Sequence, residues 1–262
     1  MFASERRVVI TGLGAVTPIG LNVKDYWKAL EAGANGIRRM KNIDLGDYHV
    51  QIAAEIDLPE DLREHFVAKK MVKRLDRFIL MGAWAGAQAL ADSGIDVEKD
   101  PTRIGAIIGS GEGGLGTHWE VIDRMRNRGF AYTSPFYITN VIPNSPAAFL
   151  CQERNLQGPS FAVSSACASS NHAIGVSISL IKSGMADVMM AGGSEAVATP
   201  PSISAFGVIG ALSSRNDDPE TASRPFDRDR DGFVMGEGAG VLCLEELEHA
   251  KARGARIYAE VT

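Results

Sequence analysis

Short apolar, β-branched runs bounded by glycine alternate along the chain with longer stretches of helical period. Arg7 to Thr11 (RVVIT), Arg103 to Ile108 (RIGAII), Ser160 to Ser164 (SFAVS) and Asp187 to Ala191 (DVMMA) read as strands, as do Gly240 to Glu245 and Arg256 to Val261. Between them Val23 to Ala32, Leu75 to Ser93, Thr117 to Arg128, Asn144 to Arg154, Ala168 to Ser183 and Leu247 to Arg253 read as helices, two of them stopped by Gly94 and Gly184. Strands alternating with helices predict βαβ units, an α/β fold whose mainly parallel sheet is covered on both faces. No internal repeat or low-complexity linker divides residues 1–262, which read as one domain. The last predicted strand runs to Thr262 with no closing helix, so the chain is expected to be cut short.

Composition narrows the classes. Apolar residues at 45% and charged residues at 23% exclude collagen-like, disulfide-scaffold and highly charged disordered chains. Glycine, 28 of 262, exceeds ordinary usage without repeating, so it is expected to serve turns and close backbone approaches. A formal charge of -5 argues against a dedicated nucleic-acid binder. Three cysteines cannot frame a small disulfide domain, and no Cys/His set has zinc spacing, which implies a reducing, cytoplasmic setting. The opening MFASERRVVITGLGAV reads as a strand and turn rather than a signal peptide. No apolar stretch reaches the roughly 18 residues of a membrane helix.

Chemistry concentrates between SFAVS and the helix that follows it. Ser165-Ala166-Cys167-Ala168-Ser169-Ser170 reads as a tight turn of small residues with one thiol at its apex. A cysteine at the first turn of a helix faces unpaired N–H groups and the positive dipole end, which favour a thiolate and can hold an oxyanion. The residues alone leave a second reading open, a free cysteine that packs as a small hydrophobe. His172 lies roughly 140° around the helix from Cys167, so a packing histidine is favoured over a base there.

Gly109 to Gly114 (GSGEGG) fits GxGxxG, but the acid that a dinucleotide site wants about 20 residues on, at the end of a next strand, has no counterpart. Asp227-Arg228-Asp229-Arg230-Asp231-Gly232 imitates the start of a calcium loop, yet its twelfth position is Gly238 and its arginines would repel the ion. Metal binding is rejected in favour of an Arg/Asp network that braces neighbouring structure. Lys69, Lys70, Lys73 and Arg74 place charge at i, i+4 spacing on a helix, a pattern that a solvated face also produces.

VSSACASS, followed by VMMAGGSEA and RPFDRDRDGFVMGEGAGVLCLEE, resembles the β-ketoacyl-[acyl-carrier-protein] synthases, closest to the type II branch. VVITGLGAVTPIG, IGSGEGGLG and ALSSRND match in the same order. The resemblance implies a thiolase-like fold, here the first half of a layered α-β-α-β-α sandwich with a mixed sheet. It implies an acyltransferase of fatty acid elongation. Cys167 would accept an acyl group from acyl carrier protein, and a carbanion from malonyl carrier protein would then attack it in a Claisen condensation. The chemistry needs no metal or other cofactor.

The same resemblance places Glu112, Gly113, Ile138, Val141 and Phe206 in substrate binding. Glu112 stands where an apolar residue is usual, which argues against long-chain specificity. Ser134 to Val141 (SPFYITNV) would cross a homodimer to line the partner's acyl pocket, with ordinary core packing as the alternative for that segment, and Lys69, Lys70, Lys73 and Arg74 would dock the acidic carrier. The two histidines and the lysine of decarboxylation, carried in the family by motifs such as HGTGT, do not occur in their motifs here. Little condensation by this chain alone is therefore expected. The alternatives are a non-catalytic half-synthase that dimerises or binds carrier protein, and a thiolase-type enzyme acting on acyl-CoA.

Overall fold

The computed structural model describes residues 6–262; Met1 to Glu5, the first part of the opening segment read above, lie outside the described residues. In chain order the elements are β1 (Val8–Val16), α1 (Val23–Glu31), β2 (Arg38–Arg39), β3 (Ile52–Ala53), α2 (Lys69–Val72) and α3 (Arg77–Ser93). There follow β4 (Ile104–Gly109), α4 (Leu115–Arg128), α5 (Tyr137–Val141), α6 (Ser145–Arg154), β5 (Ser160–Phe161) and α7 (Ser169–Lys182). The chain continues through β6 (Val188–Glu195), α8 (Pro200–Val208), β7 (Gly238–Glu246), α9 (Leu247–Ala252) and β8 (Ala259–Val261).

Six strands form the main sheet in the order β5-β4-β6-β7-β1-β8. β5, β4 and β6 are mutually parallel, and β7 and β8 oppose their neighbours. Four strands thus share one direction, a mixed sheet of mainly parallel sense, although three of its five pairings are antiparallel. The alternation of side chains decides its two faces. Ile104, Ala106 and Ile108 of β4 face the core under α3 and α6, with Val188 and Met190 of β6 and Val241 and Cys243 of β7. Ile107, Met189, Ala191 and Leu244 face α7 on the other side. Both faces are covered, as the pattern predicts.

α3 is apolar nearly all round because it is enclosed, with Phe78, Ile79 and Met81 fully buried between sheet and α6. Asp76 accepts from the Phe78 N–H to cap its start, and Gly94 at φ 66° closes its end. Several boundaries differ from the sequence reading. β1 runs on to Val16 through Gly12 and Gly14, which read as a turn, and β6 runs on to Glu195, past the predicted end at Ala191. At Gly14 a Cβ would lie 1.8 Å from the Ala85 carbonyl oxygen of α3, so close helix packing demands glycine inside the strand. β5 keeps only two residues of SFAVS before the chain leaves the sheet, and β8 only three of the six expected. α5, α8 and the β2–β3 pair lay outside the predicted elements.

Candidate functional site

The C-terminal ends of β4 and β6 lie side by side, Gly109 opposite Gly193, and the first turn of α7 rests on them. A Cβ at Gly109 would sit 2.6 Å from the Ser169 carbonyl oxygen, and one at Gly193 2.7 Å from the Ser170 Cβ. Two glycines therefore set how deeply α7 seats at the strand ends.

The turn that enters α7 is strained. Ala166 has φ 50°, a left-handed conformation costly for a residue with a side chain. Ser169 over-determines it: its hydroxyl donates to the Ala166 carbonyl at 2.6 Å and accepts from the Ser165 N–H at 2.9 Å. Cys167 is carried at the apex, exposed, and lines a cleft of about 680 Å³. The helix itself starts at Ser169, two residues later than a cysteine in its first turn would require. The left-handed Ala166 interrupts the helical path, and the N–H groups of Ala168 and Ser169 are spent on the Ser165 and Ala166 carbonyls. Because Cys167 precedes the helix, the helical angle between it and His172 does not apply; His172 Nδ1 lies 2.6 Å from the Ser165 hydroxyl.

The glycine-rich loop encloses an anion of the protein's own. Glu195, at the end of β6, accepts from the Gly111 N–H at 2.6 Å and the Ser110 hydroxyl at 2.7 Å, with the Glu112 N–H at 3.4 Å. Donors that a phosphate would need are already occupied. Nothing in the composition singled out Glu195. Its position opposite the glycine loop, on the neighbouring parallel strand, is the signal that would have found it.

Of the five residues assigned to substrate binding, Glu112 and Phe206 line the Cys167 cleft, with Val197, Phe233, Val234 and Met235. Glu112 is half-buried and accepts a 2.5 Å hydrogen bond from the Ser202 hydroxyl. Burial pushes its carboxyl above the ordinary range, the Ser202 bond works against that, and the neighbouring Glu195 charge adds to it. Gly113, Ile138 and Val141 are not part of this cleft. Gly113 is buried on the far side of the loop, where a Cβ would meet the Val141 carbonyl oxygen at 2.6 Å, and Ile138 is 62% exposed on α5. Gly113 and Gly114 pack against the end of α5, where the Gly114 N–H donates to the Val141 carbonyl at 3.3 Å, while Glu112 lines the cleft.

The segment Asp227 to Gly232 carries the expected Arg/Asp network. Arg224 donates to Asp227 at 2.9 Å, Arg215 stands 3.6 Å from Asp231, and the Ser214 N–H donates to Asp231 at 3.0 Å. Its continuation, Phe233 to Gly236, forms one cleft wall. That wall is anchored by a pair the sequence did not reveal: Arg77 donates to buried Glu237 at 2.6 and 3.2 Å, and the Ile56 N–H donates to the same carboxylate at 3.0 Å.

Lys69, Lys70, Lys73 and Arg74 are all exposed, but α2 is a single turn with Lys73 as its cap, not the longer helix that i, i+4 spacing suggested. Lys69 pairs with Glu64, and the Arg74 guanidinium lies over the Phe136 ring, 5.0 Å from its centre. Among the described residues no helix is long and apolar enough to cross a membrane.

Residues 5–250 match the family model described as the N-terminal domain of beta-ketoacyl synthase. The chain is 46% identical over 259 residues to 3-oxoacyl-[acyl-carrier-protein] synthase 2 of Vibrio cholerae, covering 98% of this chain and 62% of that protein. A beta-ketoacyl synthase from Burkholderia phymatum superposes with TM-score 0.85 at 36% identity, over 97% of this chain and 62% of that one. A ketosynthase solved with the acyl-carrier protein of a type II PKS superposes with TM-score 0.86 at 29% identity, over 98% of this chain and 62% of that one. The chain thus spans somewhat under two thirds of the length of these relatives.

Proposed function

The chain belongs to the beta-ketoacyl synthase family, in its N-terminal domain and with its thiolase-like fold, and from that premise we propose that it is the acyl-accepting part of a β-ketoacyl-ACP synthase of fatty acid elongation. The observation that supports this most directly is the exposed Cys167 on a strained turn at the mouth of an apolar cleft. Its sulfur attacks the thioester carbonyl of an acyl carrier protein, and the carrier's thiolate leaves and takes up a proton. The acyl group stays on Cys167 until a malonyl-derived carbanion displaces the sulfur. Splitting the condensation this way asks of the first half a nucleophile and a cleft, which this chain has. The decarboxylation motifs are not among its 262 residues, so condensation depends on groups supplied from elsewhere.

The whole of residues 1–262 acts as this one domain. Lys69, Lys70, Lys73 and Arg74 dock the acidic carrier, and Ser134 to Val141, with exposed Ile138, packs across a homodimer to an acyl pocket that Gly113 borders. The setting is the cytoplasm, with no nucleic-acid or membrane partner. The test is acylation of the purified chain by acyl carrier protein, followed by intact mass. One acyl adduct, lost in Cys167→Ala, is expected. An unmodified chain that still binds carrier protein would favour the non-catalytic module instead.

A further inference from the structure

The Cys167 cleft is apolar on the side of Val197, Phe206, Phe233 and Met235 and acidic where Glu112 meets it. The Glu112 carboxyl is held from α8, by Ser202, which is 2% exposed and itself shares a 2.8 Å hydrogen bond with Thr199. α8 also carries Phe206 into the cleft, so one helix fixes both the apolar wall and the acidic group. A carboxylate accepts at two oxygens with about four lone-pair sites. Ser202 occupies one, and that partner is a hydroxyl rather than a cation. The remaining capacity is available to whatever enters the cleft.

A saturated chain laid against this carboxyl removes its water and returns no hydrogen bond. A chain with a hydroxyl at that point restores the bond. Resting on the acyl-capture reading above, we infer that Glu112 is a specificity-determining residue: from the wall of the Cys167 cleft it selects acyl groups that present a hydrogen-bond donor over saturated chains of the same length. The substrate class is hydroxyacyl thioesters, and the discrimination is about tenfold, the size expected for one hydrogen bond to a charged acceptor.

The experiment compares decanoyl-pantetheine with its hydroxydecanoyl isomers, the hydroxyl moved along the chain, as donors to Cys167 of the full chain, with acylation followed by intact mass. At least one isomer is expected to react about tenfold faster than decanoyl. In Glu112→Ile and Glu112→Ala that ratio falls to one or inverts, circular dichroism and melting temperature showing which variants are folded. Decanoyl reacting as fast as every isomer, or a preference that survives in a folded variant, overturns the inference and leaves acyl capture standing. No adduct on Cys167 from any thioester overturns acyl capture itself, and this inference with it.

Discussion

Gly109→Ala asks whether the seat of α7 on β4 positions Cys167. The new Cβ would lie 2.6 Å from the Ser169 carbonyl oxygen, where ordinary contact begins at 3.4 Å. Gly109 ends a strand whose Ile107 and Ile108 are fully buried, so β4 has no room to retreat. Ser169 must move outward by about 0.8 Å, the difference between those two distances. Because the Ser169 hydroxyl ties Ser165 to Ala166, the movement passes directly to Cys167.

Overpacking of this kind costs about 1–3 kcal/mol, and each kcal/mol lowers the melting temperature of a domain of this size by about 2–4 °C. A displacement approaching 1 Å slows an aligned transfer on the order of 100-fold. The assay is thermal melting together with Cys167 acylation. Alkylation by iodoacetamide, which needs no alignment with the cleft, should change far less. Gly175→Ala is the control on the same helix, exposed and with nothing within 4 Å of its new Cβ. It should stabilise by about 0.5–1 kcal/mol and leave acylation unchanged. A Gly109→Ala chain that melts and acylates like the wild type would refute the claim that this contact sets the site.

Arg77→Met leaves Glu237, whose side chain is only 2% exposed, with the Ile56 N–H but no cation, and because Arg77 itself is 36% exposed it should cost about 1–3 kcal/mol in urea unfolding. A cost under about 1 kcal/mol would show that the pair does not hold the cleft wall. Asp187 is held down to about 2 from the ordinary 3.8, chiefly by its hydrogen bond from Arg103, with Arg6 assisting. Its contribution is therefore complete above pH 4 and is lost as the pH falls toward 2. Asp187→Asn should destabilise by ~1 kcal/mol at neutral pH, after solvent screening, and the gap should close in acid; an unchanged gap at pH 2 would contradict this. Iodoacetamide should label Cys167 first and Cys151, whose thiol burial raises, later. Fully buried Cys243, pushed up to about 11, should react only on unfolding, as peptide mapping would show.

The α/β alternation and the turn that carries Cys167 were legible because each rests on local pattern: apolar runs, glycine stops, and small residues flanking one thiol. What escaped were features set by distant partners. Gly12 and Gly14 read as the end of a strand because the reason for them is α3, some 70 residues away, pressing on β1. Glu195 and Glu237 look like ordinary acids until the glycine loop and Arg77 are folded onto them. Ser202 lies in an unremarked Pro- and Ser-containing stretch, and its role depends on Glu112 arriving from 90 residues earlier. Conversely, spacing overstated the basic helix, because i, i+4 periodicity does not report how long a helix lasts.

β7 lies between β6 and β1, so the first strand reaches the sheet only through a strand more than 220 residues downstream. At ribosomal speeds of about 5–20 residues per second, β1 waits on the order of ten seconds or longer for its mate. Throughout that interval an apolar ribbon with unpaired amides is available to other chains. The same late insertion brings Gly238 to Gly240 into the lining of the cleft that holds Cys167. The Cys167 cleft therefore gains this wall only once β7 has been made, and a nascent chain stalled before β7 would present the exposed sulfur without it.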